Sequence, residues 1–170
     1  MTAVPRRAGP LFGSFLFLVF VPGTIAGYMP YTMTHWRVEP PFFGFVWLRG
    51  VGAAIVLGGV AVLVDSFLRF ALEGRGTPAP VVPPEELVVS GLYRFVRNPM
   101  YVAVLSVVFG QALIFGSTIL LVYSIALWTA FHSFVMLYEE PTLRMKFGRS
   151  YDVYCANVSR WLPRRRAWRS

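Results

Sequence analysis

Apolar residues fall in four long runs along the chain. Leu11 to Met29 carries no charge. Trp47 to Leu72 holds Arg49 near its start and Asp65 and Arg69 near its end. Met100 to Phe115 is a third run, and Thr118 to Tyr138 a fourth. A bilayer core about 30 Å thick takes roughly 20 apolar residues of helix, so each run is a candidate span. The first is longer than a signal-peptide core of roughly 7–15 residues and no small-x-small cleavage site follows it, so it reads as a span. Only Gly116 and Ser117 separate the last two runs, which predicts a tight antiparallel hairpin. The third run is short, so its span begins in the preceding segment or tilts little.

After Tyr138 the pattern changes. Leu143, Phe147, Tyr151, Tyr154 and Val158 recur at steps of three and four, with Arg144, Lys146, Arg149 and Asp152 elsewhere around the turn. That spacing predicts one amphipathic helix lying at the membrane surface, weakened or bent at Gly148. Residues 30–43, PYTMTHWRVEPPFF, read as a short rigid loop. Residues 73–86, EGRGTPAPVVPPEE, read as an exposed linker without helix. The expected architecture is all-α: a polytopic membrane protein with four transmembrane helices and a C-terminal cytoplasmic interfacial helix. Its units are an N-terminal pair of spans (1–72), a Pro/Gly-rich linker (73–90) and a C-terminal unit (91–170).

Composition agrees with that pattern. Of the 170 residues, 56% are hydrophobic and only 14% charged, where a soluble domain carries roughly 25% charged residues. A net charge of +8 on a soluble chain would suggest nucleic acid. On so apolar a chain it points instead to membrane orientation. With the N-terminus inside, 14 of the 16 basic residues fall on the inner side, and only Arg37 and Arg49 fall outside. This predicts cytoplasmic termini and no nucleic-acid partner. The ending SRWLPRRRAWRS joins Trp161 and Trp168 to an arginine cluster, which predicts a tail lying on anionic lipid.

Polar groups in such a chain are functional candidates. The densest group is Gly91-Leu-Tyr-Arg-Phe-Val-Arg-Asn-Pro-Met-Tyr101, at the mouth of the third run. The second is Glu139-Glu140, at the end of the fourth. The hairpin brings these ends together, so two carboxylates should meet Arg94, Arg97, Asn98 and Tyr101 at one interface. Such a pocket suits a zwitterionic or cationic polar ligand. Spacing alone favours the plainer reading, positive-inside anchors with their ion-pair partners. Asp65 and Arg69, four apart, read as an intrahelical ion pair. Gln111 reads as a bond to a neighbouring helix, and Cys155 as a packed thiol. No metal-ligand spacing is present.

The stretch GLYRFVRNPMY resembles the G-x-Y-R-x-x-R-H-P-x-Y signature of isoprenylcysteine carboxyl methyltransferases. EEPTLRMKFGRSYDVYCANVSRWLP resembles their E-E…F-G-x-x-Y-x-x-Y…P ending. Phospholipid methyltransferases share the arrangement more loosely. The resemblance covers residues 85–163. It implies S-adenosylmethionine as cofactor and a membrane lipid or lipidated small molecule as acceptor, reached at the cytoplasmic face of a bacterial inner membrane. By motif match it implies a cofactor region at Tyr93, Asn98, Pro99, Tyr101, Glu139 and Glu140. It places catalytic roles at Arg97, Tyr101 and Glu140. Arg94 and Arg97 stand beside these as candidates for the acceptor region. From spacing alone His132, seven residues before Glu139 on the same helical face, reads as a hydrogen-bonded packing residue or as a further part of that acceptor region.

Three positions depart from the pattern. Asn98 stands where the family usually has His, so a titrating base is excluded there while a hydrogen bond survives. Ala103 stands for a common Gly, and Leu92 for a frequent Pro. Two other readings remain at this stage. Sterol and isoprenoid reductases resemble the same hairpin and use NADPH, and a non-catalytic membrane subunit would make Asn98 the mark of a decayed site.

Overall fold

The structure, a computed structural model, describes residues 20–73 and 87–168. The first part of the first apolar run and most of the Pro/Gly-rich linker lie outside the described residues. All regular elements among the described residues are helical. Helix α1 covers 20–34, and α2 is Trp47–Glu73. Helix α3 is Pro99–Phe115, α4 is Thr118–Phe147 and α5 is Arg149–Asn157. Helices Trp47–Arg69 and Thr118–Phe147 are long and apolar enough to cross a bilayer. At about 1.5 Å per residue, the 17 residues of α3 fall short of a full span. The chain is thus an integral membrane protein in which two of the four expected spans meet the length requirement among the described residues.

Helices α2 and α3 pack through small residues. A Cβ on Gly52 would stand 2.6 Å from the Gly110 carbonyl oxygen, and one on Gly110 2.7 Å from that of Gly52. Gly59, two turns further on, meets the Ala103 carbonyl in the same way. Missing side chains let the backbones approach, which is how helices gain contact where lipid is as apolar as they are. Leu63 and Phe67 of α2 close on Ala103 and Val104 of α3 to form the first buried cluster.

The expected hairpin forms between α3 and α4. Gly116 takes a left-handed conformation, φ 68°, and ends α3, a conformation that glycine adopts without Cβ strain. The loop from α1 ties onto this tip, with the Glu39 N–H donating to the Phe115 carbonyl at 2.8 Å.

Three expectations are corrected. Residues 30–34 are helical rather than loop, and α1 turns off only at His35. Helix α4 does not stop at Tyr138 but runs on to Phe147. The expected single interfacial helix is two pieces, because Gly148 adopts φ 52°, ψ −128° and breaks it. The predicted apolar face nevertheless holds. Tyr151, Tyr154 and Val158 form the second buried cluster, joined by Leu143, Phe147, Cys155 and Trp168.

Helices α1 and α4 each place a π-helical turn ahead of an internal proline, Thr24–Tyr28 before Pro30 and Val135–Glu139 before Pro141. A proline inside an α-helix removes a backbone donor and clashes with the preceding turn. A wider turn just ahead of it accommodates both effects.

Candidate functional site

The site lies at the end of the hairpin opposite Gly116. A 3-10 turn, Gly91–Arg94, leads into α3, with Asn98 as the residue before its first turn and Pro99 inside it. Pro is well placed there, since its missing N–H would have no helical partner anyway. Gly91, at φ 48°, lies directly under the Arg69 side chain, so any Cβ there would overlap it. Arg69 itself is held by Asp65 at 3.0 Å, the expected i,i+4 pair.

Between this loop and the ends of α1, α2, α4 and α5 lies a cavity of about 570 Å³, within the usual range for a small-molecule site. One side is apolar, with Ile25, Leu63, Phe67, Phe131 and Phe134. The other carries Tyr93, Arg97, Asn98, Tyr101, Glu139, Tyr151 and Tyr154. The Tyr101 hydroxyl donates to Glu139 Oε2 at 2.8 Å. The Tyr154 hydroxyl donates to the Tyr93 carbonyl at 2.7 Å. Burial raises the Tyr93 and Tyr154 phenols well above their ordinary range, so both stay neutral.

The adjacent carboxylates divide. Glu139 lines the cavity. Glu140 does not; it is buried in the wall, where Arg160 grips both its oxygens at 2.5 and 3.0 Å and Arg97 reaches it at 3.1 Å. Hydrogen bonding to Glu140 raises the Arg160 guanidinium further above its already high value. Arg97 also donates to Cys155 Sγ at 2.7 Å, while its Nε is buried with no partner among the described residues. Successive helical residues point about 100° apart, so two neighbouring acids meet different surroundings.

The segment after α5 binds back across the loop. The Arg97 N–H donates to the Ser159 carbonyl, and the N–H groups of Arg164 and Trp168 donate to the carbonyls of Phe95 and Arg94. Asn98 Nδ2 donates to the Arg160 carbonyl at 3.2 Å. These bonds tie the tail to the loop before α3, a contact that residue spacing did not predict. A non-helical loop leaves main-chain groups that need partners, and the tail supplies them. Trp161 donates its indole N–H to His132 Nδ1 at 3.0 Å, and Trp168 packs near Tyr154.

The expected site residues therefore part company. Tyr93, Arg97, Asn98, Pro99, Tyr101 and Glu139 come together on the cavity. Arg94 and His132 are not among its lining residues; Arg94 Nε donates to the Trp168 carbonyl at 2.7 Å, and His132 sits between Trp128 and Trp161. Sequence reasoning missed Arg160, which counted only as one more basic residue of the tail. Its position inside the motif Ser159-Arg-Trp-Leu-Pro163 was the available signal. It also missed Tyr151 and Tyr154 as cavity walls, and the share taken by α1 and α2.

A fold of apolar helices with a half-polar cavity at one hairpin end describes a membrane protein with a candidate small-molecule site. The family model described as phospholipid methyltransferase matches residues 47–150, more than half of the chain, and the chain belongs to that family. With it goes methyl transfer to a lipid-type substrate, and the reductase reading gains no support. The match begins at Trp47 and so takes in α2 as well as the hairpin. No curated protein and no solved structure matches the chain.

Proposed function

We propose that the chain is an S-adenosylmethionine-dependent methyltransferase acting on a lipid-like or prenylated acceptor at the cytoplasmic membrane face. The observation that carries this reading is the Tyr101–Glu139 pair at the polar side of a cavity whose other side is apolar. The residues present suit the cofactor. A carboxylate and the faces of Tyr93, Tyr101 and Phe131 favour positive charge. The Arg97 Nε, without a partner among the described residues, offers a donor to a carboxylate.

S-adenosylmethionine, when bound, supplies an electrophilic methyl group on a sulfonium. The protein's part is alignment and exclusion of water, the terms that dominate a displacement between two bound partners. Glu139 and the tyrosines hold the positively charged end. Asn98, buried and bonded to the tail, fixes the loop and carries no proton that titrates near neutrality. Ile25, Leu63, Phe67 and Phe134 receive the apolar part of the acceptor. The basic tail residues Arg165 and Arg166, exposed beside Leu162, would lie towards anionic lipid at that face.

Titration of the purified protein in detergent with S-adenosylmethionine tests the reading. Saturable binding that Glu139→Gln weakens is the expected result. A folded protein that binds none overturns it.

A further inference from the structure

Glu139 and Glu140 are chemically identical and adjacent, yet one faces the cavity and the other is sealed in its wall. Helix phase separates their Cβ directions by about 100°, but a glutamate side chain with three rotatable bonds can swing across much of that angle. The cavity side also holds an attraction for Glu140, since Arg97 lines the cavity and pairs with it. What holds Glu140 from the other direction is Arg160, through two bonds to its two carboxylate oxygens. A planar guanidinium meeting both oxygens sets the carboxylate's orientation as well as its position.

Arg160 is itself anchored. Its carbonyl accepts from Asn98 Nδ2, and the preceding Ser159 carbonyl accepts from the Arg97 N–H at 2.9 Å. The tail, the loop before α3 and the end of α4 therefore meet at one carboxylate. We propose that Arg160 is a positioning residue that sorts the two acids: by clamping Glu140 into the wall beside Arg97, it leaves Glu139 as the acid presented to the cavity. The consequence for the site rests on the methyl-transfer reading above, whereas the sorting itself does not.

Two measurements keep these apart. The first needs no cofactor. The full-length protein in detergent is treated with dicyclohexylcarbodiimide, an apolar reagent for carboxyl groups, and the modified residue is located by fragmentation mass spectrometry. Labelling at Glu139 and not at Glu140 is expected in the unaltered protein, with Glu140 becoming labelled in Arg160→Gln. Equal labelling of both acids in the unaltered protein, no labelling at Glu139, or an unlabelled Glu140 in Arg160→Gln overturns the proposal. The second reads S-adenosylmethionine affinity together with melting temperature. Arg160→Gln is expected to weaken binding about tenfold, within the range of coupled neighbours, and Arg160→Lys, which restores charge without the fork, to fall between. Trp168→Ala loosens the same tail without touching the carboxylate, so it should lower melting temperature and leave affinity unchanged. If Trp168→Ala weakens affinity as much as Arg160→Gln, the tail acts only as a brace and the positioning role is overturned. If the unaltered protein binds no S-adenosylmethionine while labelling sorts as expected, the functional reading fails and the sorting stands.

Discussion

The π-helical turns of α1 and α4 are built alike and used differently. Each ends two residues before a proline, at Tyr28 for Pro30 and at Glu139 for Pro141. In α1 the carbonyls of the turn are closed off by the hairpin. Gln111 Nε2 donates to the Ala26 carbonyl at 2.6 Å, and the Tyr123 hydroxyl donates to that of Ile25 at 3.0 Å. Trp36 completes the cluster by donating to Gln111 Oε1 at 3.3 Å. In α4 the corresponding turn carries Glu139 onto the cavity, and the next residue enters an ion-pair cluster. The same backbone irregularity serves helix-to-helix locking in α1 and sets an acid on a cavity in α4.

The comparison can be broken most severely at Glu140. Glu140→Ala leaves two guanidiniums, one of them almost wholly buried, without their counter-charge. Removing one partner of a buried pair costs about 3–5 kcal/mol, so a large drop in melting temperature in detergent is expected along with loss of methyl transfer. An unchanged melt would mean that the cluster is not a structural centre of this end.

Glu139→Gln should separate function from fold. Losing a charged hydrogen-bond acceptor is worth about 1.5–3 kcal/mol, so cofactor affinity or turnover should fall roughly tenfold to hundredfold with little change in melting. A drop in stability without a drop in activity would reverse the roles given to the two acids.

Pro141→Ala restores a backbone donor and lets the wider turn relax towards a regular helix. Glu139 then rotates off the cavity. Activity is expected to fall roughly tenfold, about 1.4 kcal/mol in the barrier, at equal or higher stability. Full activity would show that the turn does not depend on the proline.

Gln111→Leu is the mildest change. It removes the bonds to Ala26 and Trp36, and a hydrogen bond between membrane helices is worth about 0.6 kcal/mol on average. A small destabilisation with unaltered kinetics is expected. A kinetic effect would mean that the far end of the hairpin communicates with the site.

Much of this arrangement was readable from residue patterns. Gly116-Ser117 between two apolar runs predicted the hairpin, and the hairpin predicted that Glu139-Glu140 would meet Arg94, Arg97, Asn98 and Tyr101; Arg97 and Tyr101 do pair with the acids, while Arg94 turns to the tail. The three-and-four spacing from Leu143 to Val158 marked the right face even though Gly148 divides the helix. Proline gave a misleading signal. Pro30 read as the start of a loop because a proline inside a helix removes a donor, and nothing local showed that Gln111, about eighty residues away, would take the freed carbonyl. His132, two turns before Glu139, read as a hydrogen-bonded packing residue or as part of the acceptor region; it takes the first role, accepting from Trp161, and the π-helical turn before Glu139 breaks the regular helical phase that the second required.

The sequence by itself determined the membrane environment, the hairpin and the group of polar residues at one of its ends, because apolar run length, turn residues and helical period are local properties. The division of labour between Glu139 and Glu140, the return of the tail across the loop and the share of α1 and α2 in the cavity were decided only by the tertiary structure. Each depends on partners far apart in the chain. Arg160 reaches Glu140 across twenty residues and Asn98 across sixty-two, and no local pattern states which of several arginines will fill which carboxylate.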